Sequence, residues 1–191
     1  MSSVLDEEPE DEIRDAAAIA RRAMALFVVV AISLGAERRR LTEWLRVEDL
    51  WAELSPIELA FVESDEPSDR QIINASWRSE ALLVLLWSLE LIPSIPSPAE
   101  ICDPELFKAI MPPYVEQSAQ QFIASARRRS DDELLGMSEA LLDFHWEARD
   151  AAINGVPNPN VHIGIAQERH HGINWVVGYC GLPWDEVTTD T

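Results

Sequence analysis

The sequence predicts an all-α fold, and three observations carry that prediction. No pair of alternating runs joined by a hairpin signal occurs, and no repeat of fixed period is visible. Helix-start pairs of the Ser-x-x-Glu/Gln kind recur along the chain, in which each side chain satisfies a free backbone N–H of the other's turn. The longest uninterrupted helical signal, Ser68 to Leu91, meets no Gly or Pro before Pro93 and is far too long for a strand. It opens on the Ser68/Gln71 pair and predicts a helix over about 69–91. From Ala81 onward it is apolar on nearly every face, the pattern of a helix covered by neighbours all round. This helix is the expected centre of the fold.

Met1 to Glu12 contains DEEPEDE, with too little apolar surface to offset ordering, and reads as a disordered acidic tail; 13–191 then forms a single all-α domain. A helix is expected from Ile13 to Leu34. Its half MALFVVVAISL is β-branched, yet it continues a helical pattern with no turn residue before Gly35. Glu37 to Val47 reads as a short amphipathic helix with Leu41, Trp44 and Leu45 on one face. Ser55-Pro56-Ile57-Glu58 supplies a cap, a proline at the first helical position and a capping-box acid for a helix ending near Glu63. In the proline-rich stretch after Leu91, Ser97-Pro98-Ala99-Glu100 and Asp103-Pro104 look like starts of short helices. Tyr114 to Arg128 is expected to be helical. Ser130 to Glu133 opens a helix running to about Asn154, and the last helix spans Ile163 to Tyr179 before the tail GLPWDEVTTDT. The last two long helices are expected to pack on the central one.

The net charge of −19 argues against a nucleic-acid-coating protein, because neutralising phosphates needs a basic face. The runs Arg38–Arg40 and Arg127–Arg129 lie beside acids and read as solvated helix ends. Met24 to Leu34 is too short to span a bilayer and follows an acidic segment, the reverse of a signal peptide. Cys102 and Cys180 form no metal or redox motif. A soluble, cytoplasmic protein without membrane or nucleic-acid partners is expected.

Several clusters combine Trp with charged or polar side chains: Trp77, Arg78 and Glu80; His145, Trp146, Arg149 and Asp150; Glu168, Arg169, His170, His171, Asn174 and Trp175; and Trp184, Asp185 and Asp190. They admit two readings. One is a polar pocket between helices with His145 or His171 as an acid/base. The other is a buried network of ion pairs and Trp that fixes helix register. Glu168 and His171 have the Glu-x-x-His spacing of di-iron bundles, but the motif occurs once where such a site needs it twice, so no metal and no cofactor is expected. No nucleophile elbow or phosphate loop occurs among only seven glycines.

SWRSEALLVLLWSLEL, ERHHGINWVVGY and WDEVTTDT, in that order, resemble the bacterial family catalogued as domain of unknown function 4272, over about Ala20 to Thr191. The resemblance implies a helical domain with no assigned activity. Its recurrent positions map to Ser76, Trp77, Arg78, Glu80, Ala81 and Trp87; to Glu168, Arg169, His170, Asn174 and Trp175; and to Trp184, Asp185, Asp190 and Thr191. His171 stands where a small or apolar residue is expected, so His170 carries more weight.

Two functions remain open on these grounds. The first is a non-enzymatic interaction protein whose acidic surface binds a basic protein partner, such as an immunity-type protein masking a toxin. The alternative is an enzyme or small-ligand binder using the Trp/Arg/Glu/His cluster. Convergence on a concave cavity favours the second, and full burial with every polar atom paired favours the first. Arg78 and Glu80, two positions apart on one helix, point in different directions and cannot pair with each other. Arg78 is expected to meet Asp150, Glu168, Asp185 or Asp190, and Glu80 to meet Arg149 or Arg169, with the WDEVTTDT tail folding back onto the core.

Overall fold

The computed structural model describes residues 11–156 and 158–191, and its regular elements are all helical. They are α1 (Ala16–Ser33), α2 (Arg38–Val47), α3 (Pro56–Glu63), α4 (Asp69–Ser88), α5 (Glu105–Lys108), α6 (Ala119–Ser125), α7 (Asp131–Ile153) and α8 (Ile163–Val177), with short 3₁₀ turns at 51–53, 179–181 and 184–186. The principal helices pack in the order α1, α4, α8, α7. Thus α4 is enclosed by α1 and α8, whereas α7 packs chiefly on α8 and not, as expected, on the central helix.

The starts lie where the Ser-x-x-Glu/Gln pairs put them. Ser55/Glu58, Ser68/Gln71 and Ser130/Glu133 each form a complete capping box. A fourth box, Ser118/Gln121, corrects the expected helix over Tyr114–Arg128: it sets the start at Ala119, and Ala126 is already extended. α4 stops at Ser88, short of the expected Leu91, because Glu90 turns left-handed (φ 62°) and the Leu91 N–H bonds back to Leu86 O. Ser97–Glu100 forms a turn, and of the two expected starts only the one near Asp103 leads into a helix.

α1 is long and apolar enough to cross a membrane by length and composition, which corrects the shorter span read from Met24 to Leu34. Within the fold 72% of it is buried, and this burial accounts for its apolarity. From Ile19 to Ile32 only Arg21 lacks full enclosure. Covering on every side also explains how its valine-rich half is helical against its propensity.

The basic runs are not simply solvated ends. Arg38 donates to Phe61 O and Val62 O at 2.6 and 2.9 Å, where α3 ends. Arg129 donates through Nε to Trp87 O at 2.9 Å and through Nη2 to Ile92 O and Pro93 O, where α4 ends. Both satisfy carbonyls that a helix terminus leaves free.

Most of the expected disordered tail, residues 1–10, lies outside the described residues. Asp11 and Glu12 are instead held on the end of α8: the Cys180 N–H donates to Asp11 Oδ1 at 2.7 Å, and the Arg14 N–H donates to Val176 O at 2.9 Å. This crossing depends on Gly178, which ends α8 at φ +75° and at which a Cβ would stand 2.1 Å from Glu12 O. Gly178→Ala is therefore expected to destabilise by about 1–3 kcal/mol, read as a lower urea midpoint at unchanged m-value; a wild-type midpoint would show that the N-terminal segment is not held there.

Candidate functional site

α4 and α8 approach closely enough that a Cβ on Gly172 would lie 3.1 Å from Ala81 O. The two helices exchange two ion pairs of opposite polarity. Arg78 Nη1 donates to Glu168 Oε2 at 3.1 Å, and Arg169 Nε donates to Glu80 Oε2 at 2.8 Å. Both partners belong to the expected sets, yet the two pairs sit in different surroundings.

Glu80 and Arg169 are both fully enclosed. Glu80 Oε1 accepts from the Cys102 N–H at 2.7 Å, while Arg169 Nη1 and Nη2 donate to Pro96 O and Glu100 O at 2.6 and 3.1 Å. The pair therefore anchors the proline-rich connection to the core, and all three guanidinium nitrogens are used. Burial, reinforced by the Glu80 charge, pushes the Cys102 thiol up to about 12, which leaves it an inert core residue.

The Arg78–Glu168 pair lines a cleft of about 570 Å³ between α3, α4 and α8. Its side chains keep 22% and 19% of their exposure, so ligands and solvent can reach them. The cleft has an apolar base including Val29, Phe61 and Ala75, and the carboxamides of Gln71, Asn74 and Gln167 also line it. Trp77 forms a wall, stacked on His162 at 5.5 Å between ring centroids; a Cβ on Gly164 would come within 3.3 Å of both rings. Burial pushes the Glu168 carboxyl above the usual carboxylate range, and Arg78 holds it down. A charge pair whose carboxyl burial pushes above its ordinary range thus faces one concave opening.

The histidines lie elsewhere. His145 and His170 are buried with their Nδ1 atoms 3.1 Å apart, so one must donate and the other, with that nitrogen unprotonated, accept. Burial holds His145 down, and burial followed by the His145 charge holds His170 at about 4. His171 stacks edge-on against Trp184 at 4.7 Å and is held at about 3, first by burial and then by Arg78 and Arg22. His145 and His171, the two residues read as acid/base candidates, are both buried, and neither lines the cleft.

The tail folds back as expected, with the Trp184 ring 6.0 Å from the Arg78 guanidinium, but its carboxylates do not pair with Arg78. Asn174 Nδ2 donates to Thr188 O at 3.0 Å, Arg149 Nη1 donates to Thr191 O at 2.7 Å, and Asp190 accepts from Thr188 Oγ1. Asp185 accepts from the Ile57 N–H at 2.9 Å and so caps α3. Trp175 lies under the Arg14 guanidinium at 4.3 Å. Asp150 points outward on α7 and accepts from Asn154, so it meets none of the other candidates. Among the described residues no group of three His, Cys, Asp or Glu could hold a metal ion.

Sequence reasoning missed a third ion pair. Arg22 on α1 pairs with Glu58 on α3, both buried, and Glu58 lines the cleft. The available signal was Arg22 itself, a cation in an otherwise enclosed helix that needs a partner. Its guanidinium also lies 4.3 Å over the Trp184 ring.

A family model described as Domain of unknown function (DUF4272) matches residues 2–187. The chain belongs to this family. The match extends nearer the N-terminus than the motifs that carried the resemblance, and it stops short of Asp190 and Thr191. No curated protein and no solved structure matches the chain.

Two measurements test this division of the DUF4272 cluster. Arg169→Met strands Glu80 without water and is expected to cost about 3–5 kcal/mol, whereas Arg78→Met should cost clearly less because Glu168 can take up a proton; urea denaturation giving the reverse order would contradict the assignment. The second is pH. The unfolded histidines bind protons near 6.5 while folded His170 and His171 resist until about 4 and about 3. The unfolded state thus carries more protons in this window, and stability falls as pH drops from 6.5 toward 3. His171→Phe should flatten that fall relative to wild type, and superimposable pH–stability curves would refute it.

Proposed function

We propose that the protein is a small-ligand-binding helical domain, with the cleft between α3, α4 and α8 as its site. The observation that carries this reading is the Arg78–Glu168 pair, which faces a cavity with partly exposed side chains, while Glu80–Arg169 is sealed and Glu58, though it lines the same cleft, is held buried against Arg22. The volume falls within the range of small-molecule sites, and an apolar base with a few convergent polar groups is their usual composition. The lining suits a molecule with an apolar or aromatic body to lie beside Trp77 and amide- or hydroxyl-type groups for the carboxamides. Arg78 is available to an anionic substituent. If such a ligand displaces Arg78 from Glu168, the carboxyl loses the cation that opposes the upward push of burial, and its hold on a proton strengthens. That coupling makes proton exchange with a bound substrate the enzymatic form of the same reading.

The second reading, an acidic interaction protein with a basic partner, is favoured by the outer face of α7 and rests on different residues.

Thermal-shift screening of the full chain against a panel of small polar metabolites tests the cleft. A binder present at 100 times its Kd should add about 2.7 kcal/mol. The shift should vanish in Asn74→Trp, which fills the opening, and shrink in Arg78→Met. A ligand that shifts wild type and Asn74→Trp equally binds elsewhere, and the cleft reading then fails.

A further inference from the structure

We propose that the outer face of α7 is a docking surface for a basic amphipathic helix of a partner protein. This goes beyond the cleft, shares no residue with it, and gives the interaction reading a location.

α7 turns Leu134, Leu141, His145 and Ala148 into the fold and leaves most of its remaining surface outside. On that outer surface stand Leu135, Leu142, Trp146 and Ile153, from 39% to 77% exposed. They are spaced seven, four and seven residues apart, which at about 100° per residue keeps all four within about 20° of one line and extends the line over about 27 Å. Exposed apolar side chains scattered singly need no explanation, but a straight stripe of this length, including a Trp, is the form a helix-binding face takes.

A second line runs beside it. Asp132, Glu139, Asp143 and Asp150 have the same seven, four and seven spacing, three residues toward the N-terminus, and all four are exposed. None of them takes part in an ion pair among the described residues. The face is therefore an apolar stripe with an unneutralised acidic ridge along one flank. Its complement is a helix with an apolar stripe and a parallel ridge of Lys or Arg, which satisfies both lines at once. At the C-terminal end the stripe meets an open hollow of about 540 Å³ lined by Trp146, Glu147, Asp150 and Val156, where a partner's Lys or Arg would lie against an indole between carboxylates.

The alternatives fit less well. A second copy would bring an identical acidic ridge and a further charge of −19, and an anionic membrane surface would repel the same ridge.

The test uses the full chain and a fluorescein-labelled helical peptide of Leu and Lys, with Leu at the stripe spacing and Lys three places to one side. A peptide of the same composition in scrambled order is the control. Fluorescence anisotropy should give an affinity at least about 10-fold weaker for the scrambled peptide, and a similar loss for Trp146→Ser and for Leu142→Ser. Glu139→Lys/Asp143→Lys should weaken binding far more than Glu43→Lys/Glu66→Lys, which changes net charge equally on another face. Arg78→Met should bind as wild type, so that failure of the cleft and failure of this surface are read separately. Equal losses from both charge reversals would reduce the effect to bulk charge and overturn the proposal. Indifference to Trp146→Ser and Leu142→Ser would overturn it too, as would a dimer in sedimentation that either substitution dissolves, which would make a second copy the occupant.

Discussion

The enclosed Glu80–Arg169 pair is the constraint on which the other features depend. No water reaches either side chain, so the protein itself must supply every partner. It does so from three directions: α4 gives the carboxylate, α8 the guanidinium, and the connection from Pro96 to Cys102 the remaining donor and acceptors. The proline-rich stretch is irregular in secondary structure yet fixed in place, because two of its carbonyls and one of its N–H groups belong to this network. Arg78–Glu168 adds a second condition. The two pairs run in opposite senses between the helices, with Arg then Glu on α4 meeting Glu then Arg on α8. A slip that exchanged partners would set Arg78 against Arg169 and Glu80 against Glu168. The charges therefore select one register and rotation of the α4–α8 contact, a specificity that apolar packing around Gly172 alone would not impose.

The same use of cations shapes the outside. Arg22, Arg78 and Arg169 face carboxylates inside the fold, while Arg38 and Arg129 close the carbonyl ends of α3 and α4. A chain with 34 acidic and 15 basic residues thus turns part of its small stock of cations inward, the first three of these each against a carboxylate, and the exterior keeps the whole excess of negative charge. α7 is where this is most visible. It packs on α8 along one seam, its only ion pairs among the described residues are those to Arg128 and Arg129 in its first turn, and its central acids are left facing solvent.

The elements that could be read from the sequence are those with local determinants. Four Ser-x-x-Glu/Gln pairs name a helix start within three residues, Ser97/Glu100 shaping only a turn, and the charges at Arg78 and Glu80 announce a need for partners on another element. What could not be read is what depends on two distant segments at once. The His145–His170 contact joins residues on α7 and α8 that share no local pattern. Arg22 was passed over because a polar residue near the start of an apolar run looks like its solvated edge, and only the enclosure of α1 reveals the cost. Tyr114 to Arg128 failed for a related reason: composition permits a longer helix there, but Arg129 is drawn away to the end of α4 and Ala126 extends to let it reach. The cleft itself was half legible. Trp77, Arg78 and Glu168 were singled out, whereas Glu58, Gln71, Asn74 and Gln167 carry no signal beyond ordinary capping or helix-surface polarity.

The cleft and the sealed pairs are connected through its walls. α3 is held to α1 by Glu58–Arg22 and to the C-terminal tail by Asp185, which caps it at Ile57. α8 begins at His162, whose ring stacks on Trp77 and whose Nδ1 accepts from the Gly164 N–H at 3.2 Å. Trp77 is thereby wedged between the start of α8 and the cleft, and no side chain at Gly164 crowds it. Each wall is fixed by contacts made outside the opening, so the shape of the cavity does not depend on what fills it. A ligand entering such a site orders little that is not already ordered, and the affinity it gains from Trp77 and the carboxamides is offset less by conformational entropy than in a loop-built pocket. Of the ion pairs at the cleft, Arg78–Glu168 keeps partly exposed side chains while Glu58 is held buried against Arg22, so on the proposed reading a charge response to a ligand would fall on Arg78 and Glu168.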